Sequence, residues 1–388
     1  MSNDKEPITA SEDDCSLSSS GDQSTFNAPQ LAYQPRDPQS YRPHIGLVGC
    51  GGITATHLRA YQNAGYQVVA LCDRIEENAR KRQQEFFPEA ELYTDVRQLL
   101  RRDDVEVVDI ATHPPERVPL IEAALKARKH VLSQKPFVLD LDTGERLADL
   151  ADAQGVKLAV NQNGRWAPHF SYIREATCAG LIGDVMSLHA RVSWDHTWIM
   201  GTPFETIDDV ILYDFAIHWF DFASNLLQNK KITSVQASRS RAAGQTAKPP
   251  MLAQVMFQFE GGQGSLLFDA NVPFGSEDHT YIGGTVGTLH SSGPDLGNQT
   301  VTLFTAQGKA MPQLAGNWFP DGFHGTMAEL LCAVEENREP RNSGRENLHS
   351  LAFCFAAIAA AHEGVAKVPG EVRSLPKGSV PAAMSGSR

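Results

Sequence analysis

Cysteine is scarce in this 388-residue chain, which holds six: Cys15, Cys50, Cys72, Cys178, Cys332 and Cys354. None forms a C-x-x-C pair and none stands near a histidine at metal-finger spacing, so zinc-finger and dithiol-redox readings fall away and no metal is expected. Scattered through apolar segments, they read as buried thiols of a reducing, cytoplasmic compartment rather than as a disulfide framework. Long apolar runs are missing too. The longest, 352–361, falls far short of the roughly 20 residues that span a bilayer. No basic stretch followed by an apolar run signals secretion. Positive charge is also in short supply: 34 basic against 46 acidic residues leave a net charge of −12. Such a field repels phosphate backbones and anionic lipid, so neither nucleic acid nor a membrane surface is an expected partner.

What the chain does contain is ordinary globular material, 41% hydrophobic and 21% charged, enough for about two domains. Residues 1–43 stand apart, with eight serines, five prolines and sparse large apolar side chains. This stretch reads as a disordered tail, the alternative being a docking arm for a partner subunit. Between 44 and 165, apolar runs at 45–48, 67–72, 105–111, 130–133 and 156–160 alternate with helical stretches. That pattern predicts a doubly wound parallel sheet covered on both faces, an α/β domain. Beyond about residue 180, the segments 185–193, 232–239, 251–258, 264–271 and 299–305 alternate apolar and polar residues. They predict an open, largely antiparallel sheet in an α+β domain over 166–376. Helices are expected at 210–227, 321–336 and 346–364, and 377–388 reads as a loose tail.

The first strand runs into Gly49-Cys50-Gly51-Gly52-Ile53-Thr54, then a helix. A dinucleotide turn needs this chemistry. Gly49 allows the tight turn, Gly51 and Gly52 let the backbone approach a pyrophosphate, and the helix start at Ile53 offers free N–H groups. Thr54 stands where a third glycine is usual. Asp73, at the end of the second strand, is placed to hold the adenosine ribose hydroxyls and repel a 2′-phosphate. This favours NAD, while the adjacent Arg74 leaves NADP open. Thr112 and His113, after the third strand, and Gln134 with Lys135, after the fourth, join this candidate cofactor set.

Ligands bind at the carboxyl ends of such strands, which aims Lys135 at the cleft. A second cluster lies in the apolar helix around 210–227. Asp214 and His218 are four apart and share a face, with Asp221 on nearly the same stripe. Buried carboxylates and imidazoles are costly unless paired or functional, so this stripe is either a satisfied core pair or a site. The stretch from Trp194 to Trp198 and the loop near Tyr281 are candidate pocket walls, with a core role as the alternative.

The motifs GLVGCGGITATH (46–57), CDR (72–74), QKP (134–136), NQNGRW (161–166) and D-x-x-x-H (214–218) together resemble the glucose–fructose oxidoreductase / inositol dehydrogenase / rhizopine-catabolism family (Gfo/Idh/MocA). The resemblance spans about 44–375. It implies a Rossmann domain and hydride transfer between NAD(P) and a secondary hydroxyl of a sugar, inositol or related polyol. It implies His218 as the base, Lys135 as a donor to the reacting oxygen, Asp214 as an orienting group, and Asn163 and Arg165 as contacts to substrate or cofactor. It also implies a homodimer or homotetramer formed through the open sheet. A glycoside hydrolase with transient redox and a non-enzymatic NAD-binding regulator are the alternatives among such proteins. The chain departs from the family pattern at Gln134, usually glutamate, and at Arg117, where histidine is frequent.

Overall fold

A computed structural model describes residues 24–227 and 229–381. The first lobe runs β1 (His44–Val48), α1 (Thr54–Asn63), β2 (Gln67–Cys72), α2 (Glu76–Phe86), β3 (Glu91–Tyr93), α3 (Val96–Leu100), β4 (Val105–Ile110), α4 (Pro114–Lys126), β5 (His130–Gln134), α5 (Leu141–Gln154) and β6 (Leu158–Asn161). The second continues through α6 (Pro168–Cys178), β7 (Val185–Ser193), α7 (Ile217–Leu226), β8 (Ile232–Ser240), β9 (Leu252–Phe259), β10 (Gly262–Asp269), β11 (Glu277–Gly284), β12 (Gly287–Gly293), β13 (Thr300–Thr305), β14 (Gly308–Ala310), α8 (Asp321–Glu335) and α9 (Gly344–Glu363). No helix among the described residues is long and apolar enough to cross a membrane.

The first six strands form a parallel sheet in the order β3-β2-β1-β4-β5-β6. Its connections reverse direction between β1 and β4, which opens a crevice at their carboxyl ends. The other eight strands form a sheet ordered β14-β13-β12-β11-β7-β10-β9-β8, antiparallel except where β10 pairs with β7. The sequence pattern misses β3, a three-residue edge strand, and also β11 and β12. In those two the positions turned inward include Asp278, Thr280 and Ser291, all buried, so the apolar–polar alternation that marks a half-buried strand is absent.

Asp278 has a measurable consequence. Neither carboxyl oxygen has a hydrogen-bond partner among the described residues, and burial, helped by Asp295, pushes its pKa up to about 7. The folded protein then keeps a proton that the unfolded chain releases near the ordinary carboxyl value, so stability falls as pH rises from about 4 to about 7. Asp278→Asn removes that loss. Its stabilisation at pH 8 exceeds that at pH 5 by about 2–3 kcal/mol, to be read from denaturant melts at the two pH values.

Two segments depart from the sequence reading. Residues 24–43 are not a disordered tail, and residues 1–23 lie outside the described chain. Phe26 donates its N–H to the Lys309 carbonyl (3.0 Å). Tyr172 Oη donates to the Pro29 carbonyl (3.1 Å) and Ser171 Oγ to that of Tyr33 (2.6 Å). Asp37 accepts from Tyr66 and pairs with His324. The N–H groups of Gln39, Ser40 and Tyr41 all donate to Glu335, and they hold its carboxyl well below the usual range. The strap therefore touches both lobes through its own backbone and a few aromatic rings, anchorage that an apolar count does not register. The second departure is α8. Its Phe323, Met327, Leu330 and Leu331 pack with Ile45, Leu47 and Leu58, so a helix expected in the second lobe closes one face of the parallel sheet.

Candidate active site

The turn after β1 is shaped by backbone requirements. Gly49 sits at φ 87°, and a Cβ there would come within 2.9 Å of Thr112 Cγ2. A Cβ on Gly51 or Gly52 would meet nothing within 4 Å, so the loop presents open backbone to the crevice. No side chain caps the first turn of α1, and Ile53 is its N-cap. Thr54 is buried and its hydroxyl donates to the Gly51 carbonyl (2.6 Å), so the threonine ties the turn instead of straining it. Beneath, Arg82 Nη2 donates to the carbonyls of Gly51 (2.9 Å) and Gly52 (3.3 Å). Asp73 Oδ2 accepts the Cys50 N–H (2.7 Å) and Oδ1 accepts that of Ile75 (2.9 Å), which leaves acceptor capacity on the carboxylate. Arg74 is paired with Glu116 (3.1 Å). Open glycine backbone, an uncapped helix start and a fixed acid together fit a dinucleotide.

Lys135 is positioned from behind by a buried polar chain. Asp109 Oδ2 accepts from His57 Nδ1 (2.7 Å) and from Tyr61 Oη (2.6 Å). His57 Nε2 accepts from Gln134 Nε2 (2.9 Å) and Asn161 Nδ2 (3.2 Å). Gln134 Oε1 in turn accepts the backbone N–H of Lys135 (2.7 Å). An amide, unlike a carboxylate, donates to the imidazole and accepts from the backbone at once, which gives Gln134 a positioning part here. Arg117, fully buried, donates to the carbonyls of Thr112 and Pro136 and so clamps the turns after β4 and β5 together. Burial lowers its pKa to about 10. His113 lies against the Phe204 ring (5.7 Å between centroids) and burial lowers its pKa.

From the second lobe comes a helix that is not continuous. Ile211–Phe215 is a π-type turn, with Ala216 N–H donating to the Ile211 carbonyl, and α7 starts only at Ile217. Such wide turns re-aim side chains at functional sites. Lys135 Nζ donates to the Asp214 carbonyl (2.7 Å) and lies 3.2 Å from its carboxylate Oδ2. The amine thus reaches from the turn after β5 to the π turn of the second lobe. His218 does not pair with Asp214. Its Nδ1 is buried beside Gly164 with no partner among the described residues, so Nε2 is the nitrogen left for chemistry. Burial first, and the Lys135 charge second, hold its pKa well below 6.5. An unprotonated imidazole therefore shares a cleft with an ammonium–carboxylate pair.

A run of aromatic rings in the second lobe ends at His218. Centroid separations of 4.0–5.9 Å link Phe204, Trp198, His196, Trp194, Phe215, Trp219, Trp318 and His218 in turn. The Trp194 to Trp198 stretch forms part of this run. Tyr281 does not. It is 45% exposed on the outer face of β11, opposite the buried Thr280 and Ile282.

Two residues expected to contact substrate or cofactor are engaged within the protein. Arg165 is buried, and its Nε and Nη2 both donate to Asp221 at 2.7 Å, while Nη1 donates to the Arg341 carbonyl. Burial opposes the charge, but Asp221 outweighs it and raises the pKa. Ser350 completes the acid's shell (2.7 Å), so this ion pair is a lobe anchor, not a substrate contact. Asn163 Oδ1 accepts from Trp318 Nε1 (2.7 Å) and steadies the wall behind His218. Arg165→Ala leaves Asp221 buried and unpaired, and is expected to destabilise the fold by about 3–5 kcal/mol in urea melts, with Arg165→Ala/Asp221→Ala recovering part of it. Asp208, Asp209 and His362 converge elsewhere, but Arg239 Nη1 already bridges both acids at 2.6 and 2.9 Å. The sequence analysis gave no role to His57, Asp109 or Arg82, whose partners lie far along the chain.

Comparison with known proteins adds two family models. One, described as an oxidoreductase family with an NAD-binding Rossmann fold, matches residues 44–162, and a GFO/IDH/MocA C-terminal domain matches 170–290. A D-apiose dehydrogenase from Paraburkholderia graminis is 30% identical over 336 residues, 82% of this chain and 87% of that protein. An inositol 2-dehydrogenase from Rhizobium meliloti is 24% identical over 327 residues, 81% of this chain and 95% of the relative. Among solved structures, an Agrobacterium radiobacter oxidoreductase in complex with NAD+, L-tartaric acid and magnesium superimposes with a TM-score of 0.77 at 21% identity, covering 85% of this chain and 99% of that one.

Proposed function

Because the chain belongs to the Gfo/Idh/MocA family of NAD-dependent oxidoreductases, we propose that it moves a hydride between NAD and a secondary hydroxyl or ketone of a sugar, inositol or related polyol. The observation that carries this reading is the Lys135–Asp214 pair sharing a cleft with unprotonated His218 at the carboxyl end of the parallel sheet. Bound NAD supplies the hydride acceptor. His218 Nε2 takes the hydroxyl proton, a role open to a base that is neutral at working pH. Lys135 Nζ donates to the same oxygen and stabilises its growing negative charge. Asp214 holds the amine in place through its carbonyl and its carboxylate.

NAD is the preferred cofactor over NADP. Asp73 presents a carboxylate where a 2′-phosphate would sit, and Arg74 is engaged by Glu116. Self-association as a homodimer or homotetramer is assigned to the outer face of the second sheet, where Met256, Leu267, Tyr281 and Phe304 stand exposed. A panel of sugars, inositols and sugar acids, each with NAD and NADP and followed at the NADH absorbance, tests the function. Turnover of at least one neutral polyol or sugar with NAD is the expected result, and silence across the panel would refute the reading.

A further inference from the structure

We propose that His196 is a substrate-binding residue that donates a hydrogen bond from Nε2 to an oxygen of the sugar or polyol, and so helps decide which hydroxyl pattern is accepted. The proposal rests on the function assigned above. It begins with an unusual pair of contacts: Trp194 Nε1 and Trp198 Nε1 both donate to the same atom, His196 Nδ1, at 2.9 and 3.1 Å. An indole nitrogen can only donate. Nδ1 must therefore present its lone pair, the ring proton belongs on Nε2, and the imidazole is neutral. Burial points the same way, lowering the pKa to about 4, with Lys135 adding to the effect and Asp214 opposing it.

The ring is fixed as well as neutral. The backbone N–H of His196 donates to the Ala270 carbonyl (2.9 Å), and the imidazole packs 5.1 Å from the Phe215 ring, the neighbour of Asp214. It is only 5% exposed, yet Nε2 is buried with no partner among the described residues. A buried donor without an acceptor is costly in the folded protein. One held rigidly by two indoles, within the electrostatic reach of Lys135 and Asp214, is accounted for if a ligand oxygen completes it. None of the family motifs read from the sequence includes His196. The indole pair that sets its tautomer lies within two residues of it on either side.

The test uses the sugar or inositol turned over best in the panel described above, together with its monodeoxy analogues. His196→Phe keeps a ring but removes the donor, and is expected to raise KM by roughly 10- to 100-fold with a smaller change in kcat. His196→Gln, whose amide can accept from the indoles and still donate, restores most of the loss. One monodeoxy analogue should be discriminated against by the wild-type protein and not by His196→Phe. Should His196→Phe fail to fold, nitrogen NMR of the wild-type protein saturated with NADH carries the decision: an Nε2–H tautomer whose resonance moves on adding the sugar supports the role. A panel with turnover but unchanged KM and unchanged deoxy discrimination in His196→Phe, or an Nδ1–H tautomer, overturns this proposal alone. A silent panel overturns the assigned function and this proposal with it.

Discussion

Lys135→Ala is expected to lower kcat by about 10²- to 10³-fold while leaving the dissociation constant of NAD nearly unchanged. The amine reaches from the first lobe into the second, bonded to both the carbonyl and the carboxylate of Asp214. Nothing in the glycine turn or around Asp73 depends on it, so nucleotide binding has no reason to weaken. A second signature follows from electrostatics. The Lys135 charge is one of the two causes that keep His218 protonation low, so its removal lets the imidazole's pKa rise. The residual activity of Lys135→Ala should fall off at a higher pH on the acid side than that of the wild type. Steady-state rates from pH 5 to 9, with NAD affinity from fluorescence titration, measure both effects. Full activity in the variant would dismiss Lys135 from the chemistry.

His218→Asn carries the other large effect, a fall in kcat of about 10²- to 10⁴-fold. In the wild-type protein the base has a pKa held well below 6.5, so it is unprotonated through the neutral range. Lowering the pH through 6.5 therefore costs the wild-type rate nothing attributable to His218. An acid limb centred near 6.5, abolished in His218→Asn, would show that the imidazole is far more solvated than its place beside Gly164 and Trp318 implies.

The readable parts of this molecule are the ones whose physics is local. A glycine turn between a strand and a helix, an acid at the end of the next strand and a lysine at the end of a third all declare themselves within a few residues, because the parallel sheet delivers its strand ends to one crevice. The strands β11 and β12 hid because polar side chains point inward there, and the helix over 210–227 hid its π turn because nothing in the apolar pattern marks a widened backbone. Arg165 misled for a different reason. An arginine after a strand advertises charge, but its partner Asp221 lies 56 positions away, and only the tertiary structure shows that the charge is neutralised in the core. Residues 24–43 read as a tail because much of their hold comes from backbone carbonyls and N–H groups and from a few side chains with distant partners, none of which an apolar count registers.

The helix that closes the parallel sheet comes from near the far end of the chain, and this bears on how the protein can be rebuilt. Cutting after residue 165 and grafting the front half onto another scaffold would turn Ile45, Leu47 and Leu58 toward water. A chimera that swaps sugar specificity between relatives has to transplant α8 together with the nucleotide half, because the crossover points respect packing and not linear order.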